Sequence, residues 1–135
     1  MSSAPSFVAT PKSPAILIAN ADAANYKTLF AAGASGSRVD LGSIVNSDAS
    51  NAYVLKLAIK IGATDFPIGE VLVPAGAGSN GTVKAVSLLN VTDLPQLSGS
   101  DGVLYLQASS ELRVGAKTTI SGSNTLAVFA QGGDY

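Results

Sequence analysis

Residues Tyr53–Ile61 read Tyr-Val-Leu-Lys-Leu-Ala-Ile-Lys-Ile, with Tyr53, Leu55, Leu57, Ile59 and Ile61 on every second position. Successive side chains of a strand point to opposite faces of a sheet, so this alternation predicts a half-buried β-strand. At about 3.3 Å per residue it is roughly 30 Å long, enough to cross a small domain. A slip of one residue would turn all five large apolar groups to water, so the register is strongly specified. A chain of 135 residues built around such a strand is expected to form one sheet-based domain.

The surrounding sequence repeats the theme as short β-type runs punctuated by Gly, Asn, Asp and Ser. Ile16-Leu17-Ile18 predicts an edge strand. Asp22–Ala32 reads either as a helix capped by Asp22 and ended by Gly33, or as a strand with Tyr26, Thr28 and Phe30 on one face. The strand agrees with every other segment. Arg38–Asn46 predicts a strand whose apolar spacing shifts by one at Gly42-Ser43, as at a bulge. Ile68–Val73, Thr82–Leu88, Val103–Gln107, Glu111–Ile120 and Thr125–Gln131 complete eight or nine strands, with a loop and one helical turn over Leu89–Leu97. No long helix is available to cover a parallel sheet, so the expected fold is all-β: an antiparallel β-sandwich, jelly-roll-like. Ser2–Pro14 holds Pro5, Pro11 and Pro14. Proline removes backbone donors, which predicts an extended N-terminal arm over residues 1–14 outside any central sheet, ahead of a single domain over 15–135. That arm reads either as a disordered tail or as a segment that docks on a neighbour through Phe7 and Val8.

Several kinds of chemistry are disfavoured by what is missing. The chain has no His, Cys or Trp, which removes the commonest general base, thiolate metal sites and disulfides. Eight basic and nine acidic residues, only 13% charged in all, are spread without runs. Nucleic-acid phosphates need clustered Lys and Arg, so no nucleic-acid partner is expected. The first residues have neither a basic stretch nor a long apolar core, and no apolar run approaches the ~20 residues that span a bilayer; no secretory signal and no membrane span are expected. A surface this poor in charge tends to associate.

The local motifs read as turns. Gly76-Ala77-Gly78-Ser79-Asn80-Gly81 matches G-x-G-x-x-G, but the fingerprint needs a helix to follow, and Thr82–Ser87 is β-branched and alternating; a flexible hairpin loop is expected. Asn46-x-Asp48-x-Ser50 resembles the start of a calcium loop without its central glycine or its bidentate Glu, which leaves an ordinary Asx turn. Ser35 lies outside a G-x-S-x-G elbow and has no His to take its proton. Glu70 and Glu111, the only glutamates, read as solvent-facing strand positions. Neither a cofactor, a metal nor a small-molecule substrate is expected, and the chain reads as a packing unit whose business is surface contact.

One longer likeness adds to this. Leu29–Val39 (Leu-Phe-Ala-Ala-Gly-Ala-Ser-Gly-Ser-Arg-Val), Gly69–Gly78 (Gly-Glu-Val-Leu-Val-Pro-Ala-Gly-Ala-Gly), Ala85–Asn90, Leu94-Pro95 and Gly132-Gly133-Asp134-Tyr135 resemble small structural proteins of tailed double-stranded DNA bacteriophages. The resemblance implies a β-sandwich virion protein made in a bacterial cytoplasm and placed on the capsid surface, a decoration or cement protein. Its implied partners are the major capsid protein and sister subunits in a trimer or dimer. Phe7, Val8, Ile16, Leu17, Ile18 and Tyr135 are the residues expected to touch them. A tail, adaptor or fibre-base component, or a carbohydrate-binding jelly roll, are the alternatives.

Overall fold

In a computed structural model, residues 8–135 are described; Phe7 lies outside the described residues. Ten strands run in order: β1 (Thr10–Lys12), β2 (Ala15–Ala19), β3 (Lys27–Ala31), β4 (Ser37–Asn46), β5 (Tyr53–Ile61), β6 (Thr64–Val73), β7 (Val86–Ser87), β8 (Leu104–Leu106), β9 (Glu111–Ala116) and β10 (Thr125–Asp134). Two short 3-10 turns, Asn20–Asp22 and Pro95–Ser100, are the helical elements among the described residues. The strands form two antiparallel sheets, as the alternation predicts.

The pairing is nested. The hairpin of β5 and β6 closes at Ile61 and Thr64. Outside it β4 pairs β7 and β8, β3 pairs β9, and β1 and β2 pair β10, all antiparallel. Two further pairings, β10 with β4 and β9 with β5, gather these ribbons into sheets. The first sheet runs β1/β2, β10, β4, β7/β8, and the second runs β3, β9, β5, β6.

The core lies between the sheets and is made by their inward positions. Leu55, Leu57, Val71, Leu112 and Val114 meet Ile18, Val39, Ile44, Leu126 and Val128, all of them buried. Connections close the ends. Leu94 lies over Gly69, where an added Cβ would come within 2.2 Å of its side chain.

Several strand expectations are corrected. The irregularity in β4 lies at Asp40 and not at Gly42-Ser43, since Gln131 pairs Leu41 while the next residue, Gly132, pairs Val39. The extra residue reverses the alternation, so Leu41 faces outward at 48% exposure and Gly42 inward. Thr82–Leu88 contributes only Val86-Ser87 as strand, and Glu111–Ile120 ends at Ala116. The Asp22–Ala32 strand shortens to Lys27–Ala31, with a register shift between Thr28 and Phe30. Thr10–Lys12, within the expected arm, is extended and hydrogen-bonded to Gly132–Asp134. It sits at the sheet edge, where proline is tolerated, and Ser13-Pro14 separates it from β2.

The bulge depends on Gly132, whose added Cβ would lie 1.9 Å from the Arg38 carbonyl oxygen. That neighbour is backbone and cannot rotate away. Gly132→Ala is therefore expected to cost about 3 kcal/mol, read as a lowered urea midpoint. Gly99→Ala, with nothing within 4 Å, should stay within about 0.5 kcal/mol of the parent.

Candidate functional site

The ionisable groups are organised as fasteners. Asp48 is buried at the β4–β5 turn, at 3% exposure. One of its carboxylate oxygens accepts from the Ser50 and Asn51 amides at 2.9 and 3.1 Å. The other accepts from Asn51 Nδ2 at 3.0 Å and from the Tyr53 hydroxyl at 2.7 Å. The Tyr53 oxygen in turn accepts from the Ser121 amide at 2.9 Å. A carboxylate offers about four acceptor sites, and all of Asp48's are used, which leaves none for a cation. Asn46, also buried, donates to the carbonyls of Asn51 and Pro74 at 2.9 and 3.1 Å. The Asx turn expected at Asn46-x-Asp48-x-Ser50 is what forms.

Bonds from Asn51, Ser50 and Tyr53 hold the Asp48 carboxyl down from 3.8 to about 2. Asp134 is likewise lowered by the Ser37 hydroxyl first and then by Lys12, whose Nζ lies 3.3 Å away. Lys12 also stands 4.5 Å from the Phe30 ring centroid, tying β1 to the opposite sheet.

The glycine-rich loop is tied to its neighbours by backbone hydrogen bonds. Gly76 N donates to Asp48 O at 2.7 Å, Gly78 N to Val83 O at 2.7 Å, and Asn46 N to Ala77 O at 2.8 Å. Asn80 Oδ1 accepts from the Thr82 and Val83 amides. Its amides are thus turned on the chain itself, and turns and β7 follow it instead of a helix. The two glutamates are engaged separately: Glu70 with Lys117 at 3.0 Å, and Glu111 with the Thr28 hydroxyl. Among the described residues, no group of three or more acidic side chains is placed to hold a metal ion.

What distinguishes one part of the surface from another is charge. On the outer face of the second sheet, Lys56 opposes Glu70, Lys60 opposes Asp65 and Glu111, and Arg113 opposes Ala58. Arg113 Nη1 is 3.5 Å from Asp65 Oδ1, and Lys56 Nζ stands 4.4 Å from the Tyr26 ring centroid. Opposite charges across strands suit a face turned to water.

The outer face of the first sheet is different. Its register places Leu17, Ala127 and Val45 in one row and Ala15, Phe129 and Ser43 in the next, followed by Gln131 and Leu41. Tyr105 and Arg38 lie further along. The charged strand residues here are Arg38 and Asp40, and they pair with each other at 2.8 Å. Leu17 is 57% exposed and Tyr105 60%. A groove of about 250 Å³ runs over Ala127, between Leu17 on one side and Val45 on the other. A second, smaller apolar group stands at the β5–β6 hairpin, where Phe66 pairs Ile59 and shares its face with Ile61. Phe66 and Ile61 are 51% and 42% exposed.

The residues expected as contacts divide accordingly. Ile18 is fully buried and Ile16 packs on the core, so of that run Leu17 alone faces outward; strand alternation forbids all three from reaching one partner. Val8 lies against Gly133, and the Tyr135 amide donates to Gly36 O at 3.2 Å. Leu41, Val45, Ala127 and Phe129, which were not among the expected residues, share the outer face with Leu17. For Ala127 and Phe129 the sequence signal is the run Leu126–Ala130, apolar at both parities, a pattern that marks a strand apolar on both faces.

No family model matches the chain, and no curated protein matches it. Among the described residues no helix is long and apolar enough to cross a membrane.

The Asp48 fastener sets an acid limb of stability. Because its folded-state value lies below 3.8, its contribution is complete above that pH and disappears as pH falls through about 2. Urea midpoints measured from pH 6 down to pH 2 are expected to fall for the parent. Asp48→Asn should be less stable at neutral pH, with the gap closing towards pH 2.

Proposed function

We propose that this chain is a virion structural protein of the tailed-bacteriophage kind, a decoration or cement protein that bridges major capsid subunits and performs no catalysis. One observation carries the reading: exposed apolar side chains cluster at two separate places, Leu17, Leu41 and Tyr105 on the outer face of the first sheet and Ile61 and Phe66 at the β5–β6 hairpin, with Leu72 and Val91 standing apart, while Lys12, Arg38, Arg113 and Lys117 each lie beside a carboxylate. Two separated adhesive surfaces are what a bridging subunit needs. The sequence likeness given above points the same way.

The finer fold reading belongs here as well. With β1 and β2 counted as one broken edge strand, and β7 and β8 as another, the chain is an eight-stranded ribbon, folded back at β5–β6 and rolled so that β10 meets β4 and β9 meets β5. That strand order suits a jelly roll, an arrangement used by viral shell proteins and lectins alike. It supports the jelly-roll reading without choosing between those roles; the paucity of exposed charge and the two apolar places favour the shell.

The mechanism is mass action. A subunit that binds only the assembled shell stabilises it by its binding free energy. Quantitative mass spectrometry of purified virions should find copies in proportion to the capsomers. A handful of copies per particle would place the protein at the tail instead, and absence from particles would overturn the virion reading. Phe66→Glu is expected to lower shell occupancy at least about tenfold, since it carries a charge into an apolar contact, while the folded domain keeps its urea midpoint.

A further inference from the structure

We infer that the charge-poor outer face of the first sheet is covered by a second copy of this chain, in a two-fold, face-to-face dimer. The inference goes beyond the virion reading and is tested on the isolated protein, so either can fail without the other.

Composition makes the first argument. The run Ala15–Ala19 (Ala-Ile-Leu-Ile-Ala) on β2 and the run Leu126–Ala130 (Leu-Ala-Val-Phe-Ala) on β10 are apolar at every position. Alternation needs apolar residues on the inner parity alone. Within these two runs the outer parity, Ala15, Leu17, Ala19, Ala127 and Phe129, has no polar group, and Thr125 and Gln131 flank it on β10, whereas the outer parity of β5 carries Lys56 and Lys60. The two sheets obey the same rule inside and opposite rules outside.

Area makes the second. β4 and β10 are ten residues each, about 34 Å at ~3.4 Å per residue, and four strand positions at ~4.8 Å give a width of about 19 Å. The face is therefore roughly 650 Å² in projection, and more along its side chains. A specific complex covers about 800 Å² per partner. The face matches that size as a whole; a lone peptide would cover only a strip of it.

Charge and shape make the third. The face carries its two strand charges as one internal pair, Arg38 with Asp40, so a copy laid against another meets no like-charge repulsion. In a two-fold contact each residue's partner is found on the same patch. Leu41 stands out at 48% exposure four residues along β4 from Val45, which lines the groove over Ala127. A two-fold axis near Phe129 lays Leu41 of each copy into the groove of the other. Two sheets so stacked repeat the packing inside the domain, about 10 Å apart with strands roughly 30° from parallel.

Sedimentation equilibrium of the purified full chain at micromolar concentrations should give a two-chain species. Leu41→Glu and Leu17→Glu, both at exposed positions, should weaken it at least about a hundredfold, each placing two unpaired carboxylates in an apolar contact. Leu72→Glu, on the outer face of the second sheet at 59% exposure, should leave it unchanged. Circular dichroism and urea midpoints at the monomer level are expected to match the parent in all three. A single-chain species, a trimer, or a dimer that survives both Glu substitutions would overturn the inference. So would a monomer whose Leu17 and Leu41 become protected only on shells, which would assign this face to the capsid.

Discussion

Strand β10 is paired along both of its edges, with β1 and β2 on one side and β4 on the other. Everything else in the first sheet is hung from it. It is also the strand in which alternation between polar and apolar is suspended, from Leu126 to Ala130. A strand bonded on two edges and apolar on two faces has no side left for water, and that constraint organises the molecule. The inner face is satisfied by the second sheet, through Leu126, Val128 and Ala130, all buried. The outer face looks for something else.

The second sheet solves the same problem in the ordinary way. Its central strands carry Lys56, Lys60 and Arg113 outward against Glu70, Asp65 and Glu111. Individually such exposed pairs contribute little, at most about 1 kcal/mol. Collectively they decide which face stays wet. The buried charge follows a different logic. Asp48 is enclosed because every acceptor it has is occupied, and its neighbours Asn46, Asn51 and Tyr53 tie the β4–β5 turn to Pro74 and Ser121. Removing a partner from such a network costs more than the bond itself is worth, because the group left behind remains buried.

Sequence made part of this legible. Tyr53–Ile61 forms the strand expected of it because its period, its β-branched and aromatic content and its flanking turns agree. Agreement ends where tertiary contacts overrule pattern. Thr82–Leu88 alternates as a strand does, yet Asn80 captures the amides of Thr82 and Val83 and bends the chain, so only Val86-Ser87 pairs as strand. The β4 bulge was two residues out of place because the residue that allows it, Gly132, lies on another strand 92 positions from Asp40 along the chain. The orientation of the expected contact residues was not legible for a simpler reason. Ile16-Leu17-Ile18 was taken whole, although a strand cannot present three consecutive side chains to one surface. The face itself could have been found from two runs that never alternate.

The edges complete the picture. Ser13-Pro14 interrupts the outermost strand of one sheet, and Pro67 with the unpaired Ile68 interrupts that of the other. Side chains occupy carbonyls on both rims, with Lys27 Nζ on Leu17 O at 2.8 Å and Gln96 Nε2 on Ile68 O at 2.6 Å. Open rims invite strand-to-strand addition, which has no natural stopping point and leads to fibres. A polypeptide this rich in apolar residues is exposed to that hazard. Broken rims deny it a template for endless strand addition.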